Sequence, residues 1–223
     1  MVIFMLLRFL ALGVAGLAAG AFTWFFFEYV LHRFAFHEMK GKNLGSREHL
    51  NHHVRATWAF DPVILFAWFG VLLTGVGWGA GTMWLLDGPI SSSSATLAGA
   101  SFGAGWVAGY FFYEWHHAQA HLRGPNNRWE AWLRKHHFHH HFGHPLSNQN
   151  VTIPLWDIVF RTTERPEKVQ VPRRLVMRWL LDEDGCVKPE YRDDYELVGV
   201  VGTDERQAGI DKARAYANLV PVP

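Results

Sequence analysis

The sequence predicts an all-α protein of multi-pass membrane helices, about three crossings, carrying a histidine-rich helical cap. Three observations lead there. Phe9–Phe27, Pro62–Leu86 and Ala95–Tyr113 run without a charged residue, and crossing the hydrocarbon core takes roughly 20 helical residues. Fourteen histidines are present, six of them in the stretch HHFHHHFGH at 136–144. Several of these histidines recur at i, i+3 and i+4, a spacing that gathers side chains on one face of a helix.

The first run reads as a retained membrane helix. Small residues at 17–21 resemble a signal cleavage site, but the apolar run continues through Phe22–Phe27 and Arg8 is the only basic residue ahead of it. The second run, at about 1.5 Å per residue, overshoots a core of about 30 Å. It is therefore tilted, or broken among Gly75, Gly77, Gly79 and Gly81. The third carries the pairs Gly99/Gly103 and Gly105/Gly109, which let membrane helices approach closely. Its Gly103-x-Gly105-x-x-Ala108 string imitates a dinucleotide fingerprint but follows no strand, and is set aside.

Three crossings put residues 28–61 and everything after Tyr113 on one side. That side carries Arg33, Lys40, Lys42, Arg47, Arg55, Arg123, Arg128, Arg134 and Lys135, whereas the 87–94 loop has no lysine or arginine. The positive-inside rule makes the basic side cytoplasmic. All fourteen histidines fall there. The sequon Asn150-Val151-Thr152 is then cytosolic and unused.

Composition excludes other classes. The net charge of +1 argues against a nucleic-acid binder. The single cysteine, Cys186, excludes an internal disulfide framework and thiolate-only metal sites. A bound metal must use imidazole and carboxylate.

Four histidine boxes follow in order. His32 and His37 form the first, but five residues overshoot a regular turn by about 140°. Either the helix is distorted between them or His37 already lies in the loop. His49, His52 and His53 form the second, His117 and His121 the third. The fourth holds His137, His140 and His141, with His136, His139 and His140 as an alternative register. In the last three boxes the spacing aims each group of imidazoles at a common point. Clustered histidines mark a metal site, and ten suit two ions better than one. Ten imidazoles fill most positions on two octahedral-preferring ions and leave room for O2, which requires redox-active iron. Zinc is expected to substitute in purified samples, because it outcompetes ferrous iron at nitrogen sites.

The strings HRFAFH, HLNHH, HAQAH and HFHHH, followed by NVTIPLWDIVFRT, resemble the fatty acid hydroxylase superfamily of membrane di-iron oxygenases, which includes sterol desaturases and fatty acid 2-hydroxylases. FEYVLHRFAFH is nearest to the fatty acid 2-hydroxylase branch. The resemblance covers about Trp24 to Thr162. It implies a cytosolic cap of histidines over two iron ions, with His32, His37, His49, His52, His53, His117, His121, His137, His140 and His141 as metal ligands and O2 as co-substrate. Glu28, Glu114 and Asp157 stand where partners that orient imidazoles would be. Glu28, one turn before His32, is expected either to accept that ring's second N–H or to snorkel to the membrane interface. Asn150 replaces a glycine often found in the family's final segment.

The implied activity is that of a lipid hydroxylase or desaturase, inserting a hydroxyl or a double bond into a lipid or fatty acyl substrate; the ligand set does not separate the two. An apolar channel between the helices would position one carbon of the substrate. With no heme or flavin motif in the chain, electrons are expected from a separate donor, cytochrome b5-like or a ferredoxin with its reductase, docking near Arg123–Lys135. The alternative is a histidine-rich metal transport or storage protein. Transport favours ionisable groups inside the crossing helices, and the three runs have none. The hydroxylase-like membrane domain is expected to span 1–165, with a soluble appendage at 166–223. There, 203–220 reads as an amphipathic helix capped by Thr203, and Arg173, Arg174 and Arg178 are candidates for contact with anionic lipid.

Overall fold

In the computed structural model, which describes residues 2–88, 92–200 and 204–221, the helices of membrane type bury glycine and expose large apolar side chains. Helix α1 spans Val2–Val30, α2 Leu44–Arg55, α3 Ile64–Asp87 and α4 Ser93–Leu122. Helix α3 buries Val71, Gly75 and Gly79, while Phe66, Phe69, Val76 and Leu85 are exposed. Water penalises that pattern; lipid, as apolar as the exposed side chains, does not. Among the described residues, two helical segments are long and apolar enough to cross a membrane: Val2–His37, which is α1 with its continuation, and α3. The third apolar run lies within α4, which is continuous for 30 residues. Helix α3 is also continuous, so of the two expected possibilities, tilt or a break among its glycines, the break does not occur. Residues 89–91 of the 87–94 loop lie outside the described residues.

The chain divides into two compact units. The first comprises Met1–Phe27 and Phe60–Glu114. Here α4 touches both other helices backbone to backbone. A methyl group on Gly103 would lie 2.4 Å from the Gly75 carbonyl oxygen, and one on Gly20 2.0 Å from that of Phe102. The glycine pairs thus have the packing role their spacing implies. Trp24 stands edge-on to Trp106 and Tyr110, with ring centroids 5.1 and 5.0 Å apart. The indole N–H of Trp106 donates to Thr74 Oγ1 at 3.0 Å, which satisfies a buried donor.

The second unit comprises Glu28–Ala59 and Trp115–Pro223. It holds the π-helical turn Leu31–His37, α2, α5 (Arg128–Phe142) and α6 (Leu155–Val159). Asparagine caps start two of these helices: Asn43 accepts from Ser46 N, and Asn127 from Glu130 N. The segment after Pro166 departs from the all-α expectation. Strands β1 (Val169–Pro172) and β2 (Tyr195–Val198) pair in parallel, because Val169, Val171 and Tyr195 pack on Phe138 and Phe142 of α5 in a common core with Leu175, Met177 and Leu180. Helix α7 covers Glu205–Tyr216 and is capped by Asp204. Thr203, the expected cap, lies outside the described residues. The helix ends short of the expected 220 because Asn218 takes a left-handed conformation, φ 58°.

Several basic residues serve the interior of this unit. Arg134 is buried and donates to the Arg123 carbonyl at 3.0 Å and to Glu130 at 3.0 Å. Lys135 bonds Asp194 and the Glu167 carbonyl, each at 2.7 Å. Arg174 forms a buried, two-pronged ion pair with Asp211 at 2.7 and 2.9 Å. Arg134 and Lys135 are thereby withdrawn from the expected donor surface and Arg174 from the expected lipid contact; Arg123 and Arg128 remain exposed.

Candidate metal centre

The ten box histidines come together in two groups of five. His32, His37, His49, His53 and His140 form the first; His52, His117, His121, His137 and His141 form the second. Within each group one nitrogen from every ring lies within 4.8 Å of the others.

Local geometry explains the division. Leu31–His37 is a π-helix, and Glu38 N bonds the Arg33 carbonyl five residues back at 3.0 Å. In i→i+5 winding, five residues close one turn, so His32 and His37 face the same way. Distortion of the helix, the first of the two expected possibilities, is the one adopted. On α2 and α5 the i and i+4 rings (His49/His53 and His137/His141) stay together, while the i+3 rings (His52 and His140) swing into the opposite group. Adjacent helical positions diverge by about 100°, which separates i+3 from i+4. The second and fourth boxes are therefore each shared between two points, where one common point was expected. The third box, on α4, serves the second group alone.

Backbone carbonyls and one amide hold the rings, where carboxylates were expected. His140 Nδ1–H donates to the Ser147 carbonyl at 2.8 Å, His121 Nδ1–H to Ala56 at 3.0 Å, and His32 Nδ1–H to Gln149. His37 Nδ1–H donates to Asn218 Oδ1 at 3.1 Å. Ala56 adopts a left-handed conformation, φ 49°, to end α2. That conformation costs a non-glycine residue about 1–2 kcal/mol.

The expected carboxylates act on the backbone instead. Glu28 neither meets His32 nor reaches an interface: it is buried and accepts from Val151 N at 2.6 Å, Thr152 N at 3.1 Å and the Thr152 hydroxyl. Asp157 accepts from Gln149 N at 2.7 Å, Asn150 N at 2.8 Å and Thr162 Oγ1 at 2.7 Å. Together they clamp the 147–152 loop whose carbonyls hold His32 and His140. Glu114 is hydrogen-bonded to Tyr110.

Of the other histidines, His136 turns to Asp157 at 3.3 Å, and His139 to Glu164 at 2.8 Å. His144 also meets Glu164. His116 belongs to neither group. The register beginning at His137 is the one whose rings converge.

The nitrogens fit a metal. A neutral ring that gives its Nδ1 proton to a carbonyl presents a bare lone pair at Nε2. His37 and His140 both do so, and their Nε2 atoms face each other at 3.1 Å. No proton is available to lie between them, so two lone pairs would repel. Across the two groups, neighbouring Nε2 atoms stand 2.9–3.2 Å apart. Ligands at right angles on an ion, with bonds of about 2.1 Å, are separated by about 3.0 Å. Both nitrogens of His141 are buried with no hydrogen-bond partner among the described residues.

Burial, compounded by neighbouring imidazoles, pushes the pKa values of His49, His53, His137, His140 and His141 well below the usual range. Burial takes His52 down to about 4. The rings are neutral at pH 7, the form that ligates metals.

Sequence reasoning missed the carbonyl partners, which leave no residue-type signal, and Asn218. The latter had a readable signal: asparagine followed closely by Pro221 is a helix stop.

Comparison with known proteins agrees. Residues 17–162 match the fatty acid hydroxylase family model. The chain is 36% identical over 155 residues to a dihydroceramide fatty acyl 2-hydroxylase of Arabidopsis thaliana, covering 68% of this chain and 62% of the relative. It is 29% identical to the fatty acid 2-hydroxylases of Mus musculus and Homo sapiens, covering 64% and 67% of this chain. It spans 38% and 39% of those two relatives' lengths. No solved structure matches significantly. The chain belongs to the fatty acid hydroxylase family.

Proposed function

We propose that this protein is a membrane-bound di-iron oxygenase that hydroxylates a lipid acyl chain, in line with the 2-hydroxylase activity named for its relatives. The observation that carries the reading is the pair of five-imidazole groups whose bare nitrogens meet about 3 Å apart. All ten box histidines are the proposed ligands. Two iron ions there would supply the chemistry that uses O2 to break an unactivated C–H bond. The chain's own residues keep ten rings neutral, fix which nitrogen carries the proton on His32, His37, His121 and His140, and hold the 147–152 loop through Glu28 and Asp157. Electrons come from a separate donor of the cytochrome b5 or ferredoxin type, with Arg123 and Arg128 as its exposed contacts. The membrane-embedded domain spans 1–165 and crosses three times, leaving the histidines on the cytoplasmic face, with 166–223 as an appendage.

Lipid mass spectrometry of cells expressing wild type or His140→Ala tests this. A lipid one oxygen heavier, present with wild type and absent with the variant, is the expected result. A species two hydrogens lighter would assign desaturation. No change in any lipid class, with metal still bound, would favour the transport or storage alternative, which no present observation supports.

A further inference from the structure

Asn218 lies beyond the region matched by the family model, yet it makes two contacts with one histidine of the first group. Its Oδ1 accepts from His37 Nδ1–H at 3.1 Å, and its Nδ2 donates to the His37 carbonyl at 3.3 Å. The side chain is buried. We propose that Asn218 is a positioning residue for the first metal centre: it fixes the tautomer and orientation of His37, so that the C-terminal helix α7 completes the site. This inference rests on the two-centre reading above.

The end of α7 is built to deliver that amide. Asn218 N bonds the Ala215 carbonyl at 2.9 Å and Leu219 N bonds the Arg214 carbonyl at 2.8 Å. These are the two bonds of a Schellman cap, with Asn218 at the left-handed position that glycine or asparagine fills. The Arg174–Asp211 ion pair secures the helix at its middle. The Tyr216 ring packs against Gly41, where a methyl group would come within 2.2 Å of it. Gly41 itself has φ +80°, so both backbone and contact require glycine there. A small cavity bordered by His37, His53, His141, Ala215 and Leu219 shows how closely α7 approaches the histidines. Asparagine suits the task because it is always neutral: its oxygen accepts one proton, and its N–H2 satisfies a carbonyl that a carboxylate would repel.

Asn218→Gly separates positioning from folding, because glycine keeps the left-handed cap and deletes only the amide. Asn218→Asp restores the acceptor. The full-length protein, purified in detergent and loaded with Zn2+, is challenged with a chelator, and the release of each ion is timed. Loss of a group that orients a ligand typically costs 10–100-fold in metal affinity. One of the two ions should therefore leave Asn218→Gly roughly 10–100-fold faster, the other at the wild-type rate, with Asn218→Asp, which keeps the acceptor for His37 Nδ1–H but loses the donor to the His37 carbonyl, in between. The melting temperature of the metal-free Gly variant should fall by only roughly 2–12 °C, the cost of the unsatisfied His37 donor, with a single cooperative transition retained. Two ions leaving Asn218→Gly at wild-type rates, or both leaving equally faster, would overturn the inference alone. A wild type holding fewer than two ions would overturn the two-centre reading and this inference with it.

Discussion

Replacing Asp157 with alanine tests whether the 147–152 loop is what organises the first histidine group. The carboxylate is fully buried and accepts from two backbone N–H groups, at 2.7 and 2.8 Å, and from the Thr162 hydroxyl. The hydroxyl has a second partner in Tyr29 at 3.3 Å, but the two amides do not gain one. A buried donor left unsatisfied costs about 1–3 kcal/mol, so two cost about 2–6 kcal/mol. For a chain of this size each kcal/mol lowers Tm by about 2–4 °C, which places the expected drop at roughly 4–24 °C. Asp157→Asn keeps one acceptor oxygen and should lose about half as much. The effect on metal is selective: Ser147 and Gln149 hold His140 and His32, both in the first group, while His121 is held by Ala56 outside the loop. Bound metal should fall from two ions per chain to one. The assay is thermal unfolding in detergent followed by tryptophan fluorescence, with elemental analysis of the same sample. A Tm within 2 °C of wild type, with both ions retained, would show that the loop does not depend on this carboxylate.

Three further outcomes follow from the same geometry. The metal-free protein should be most stable above about pH 6.5, where unfolded and folded rings are both neutral. Below that pH the unfolded chain takes up protons that the buried rings refuse, at up to about 1.4 kcal/mol per ring per pH unit; a Tm that stays flat on acidification would mean the rings are not buried as neutral groups. Gly103→Ala should cost about 1–3 kcal/mol by forcing α3 and α4 apart, whereas Gly77→Ala, with open space around it, should be near neutral; equal melting temperatures would refute the close approach. His139→Ala, which removes a ring bonded to Glu164, should keep both ions, while His137→Ala, which removes a ring of the second group, should lose one; the reverse result would favour the other register of the fourth box.

Much of this was legible from residues alone. Charge-free length marked α1, α3 and α4, and the i, i+3, i+4 spacing picked out the ten rings that converge. Periodicity could not show that α2 and α5 each feed two histidine groups, because the partner of a ring depends on what lies opposite it. His32 and His37 looked incompatible with a regular helix and were; the π-turn that reconciles them has no sequence signature beyond the five-residue gap. Glu28 and Asp157 read as carboxylates that orient imidazoles, but their partners are backbone amides of a loop folded from over a hundred residues away in the case of Glu28. The β1–β2 pair escaped notice because four-residue strands at 169–172 and 195–198 are shorter than the alternation a reader can trust.

The central claim is that imidazole nitrogens surround two metal ions. X-ray absorption at the iron edge of purified, iron-loaded protein addresses it most directly. The account predicts two irons per chain, each with a first shell dominated by nitrogen at about 2.1 Å and the outer-shell pattern of imidazole rings. Less than one iron per chain, or a first shell of sulfur or of water oxygen without the imidazole pattern, would contradict it.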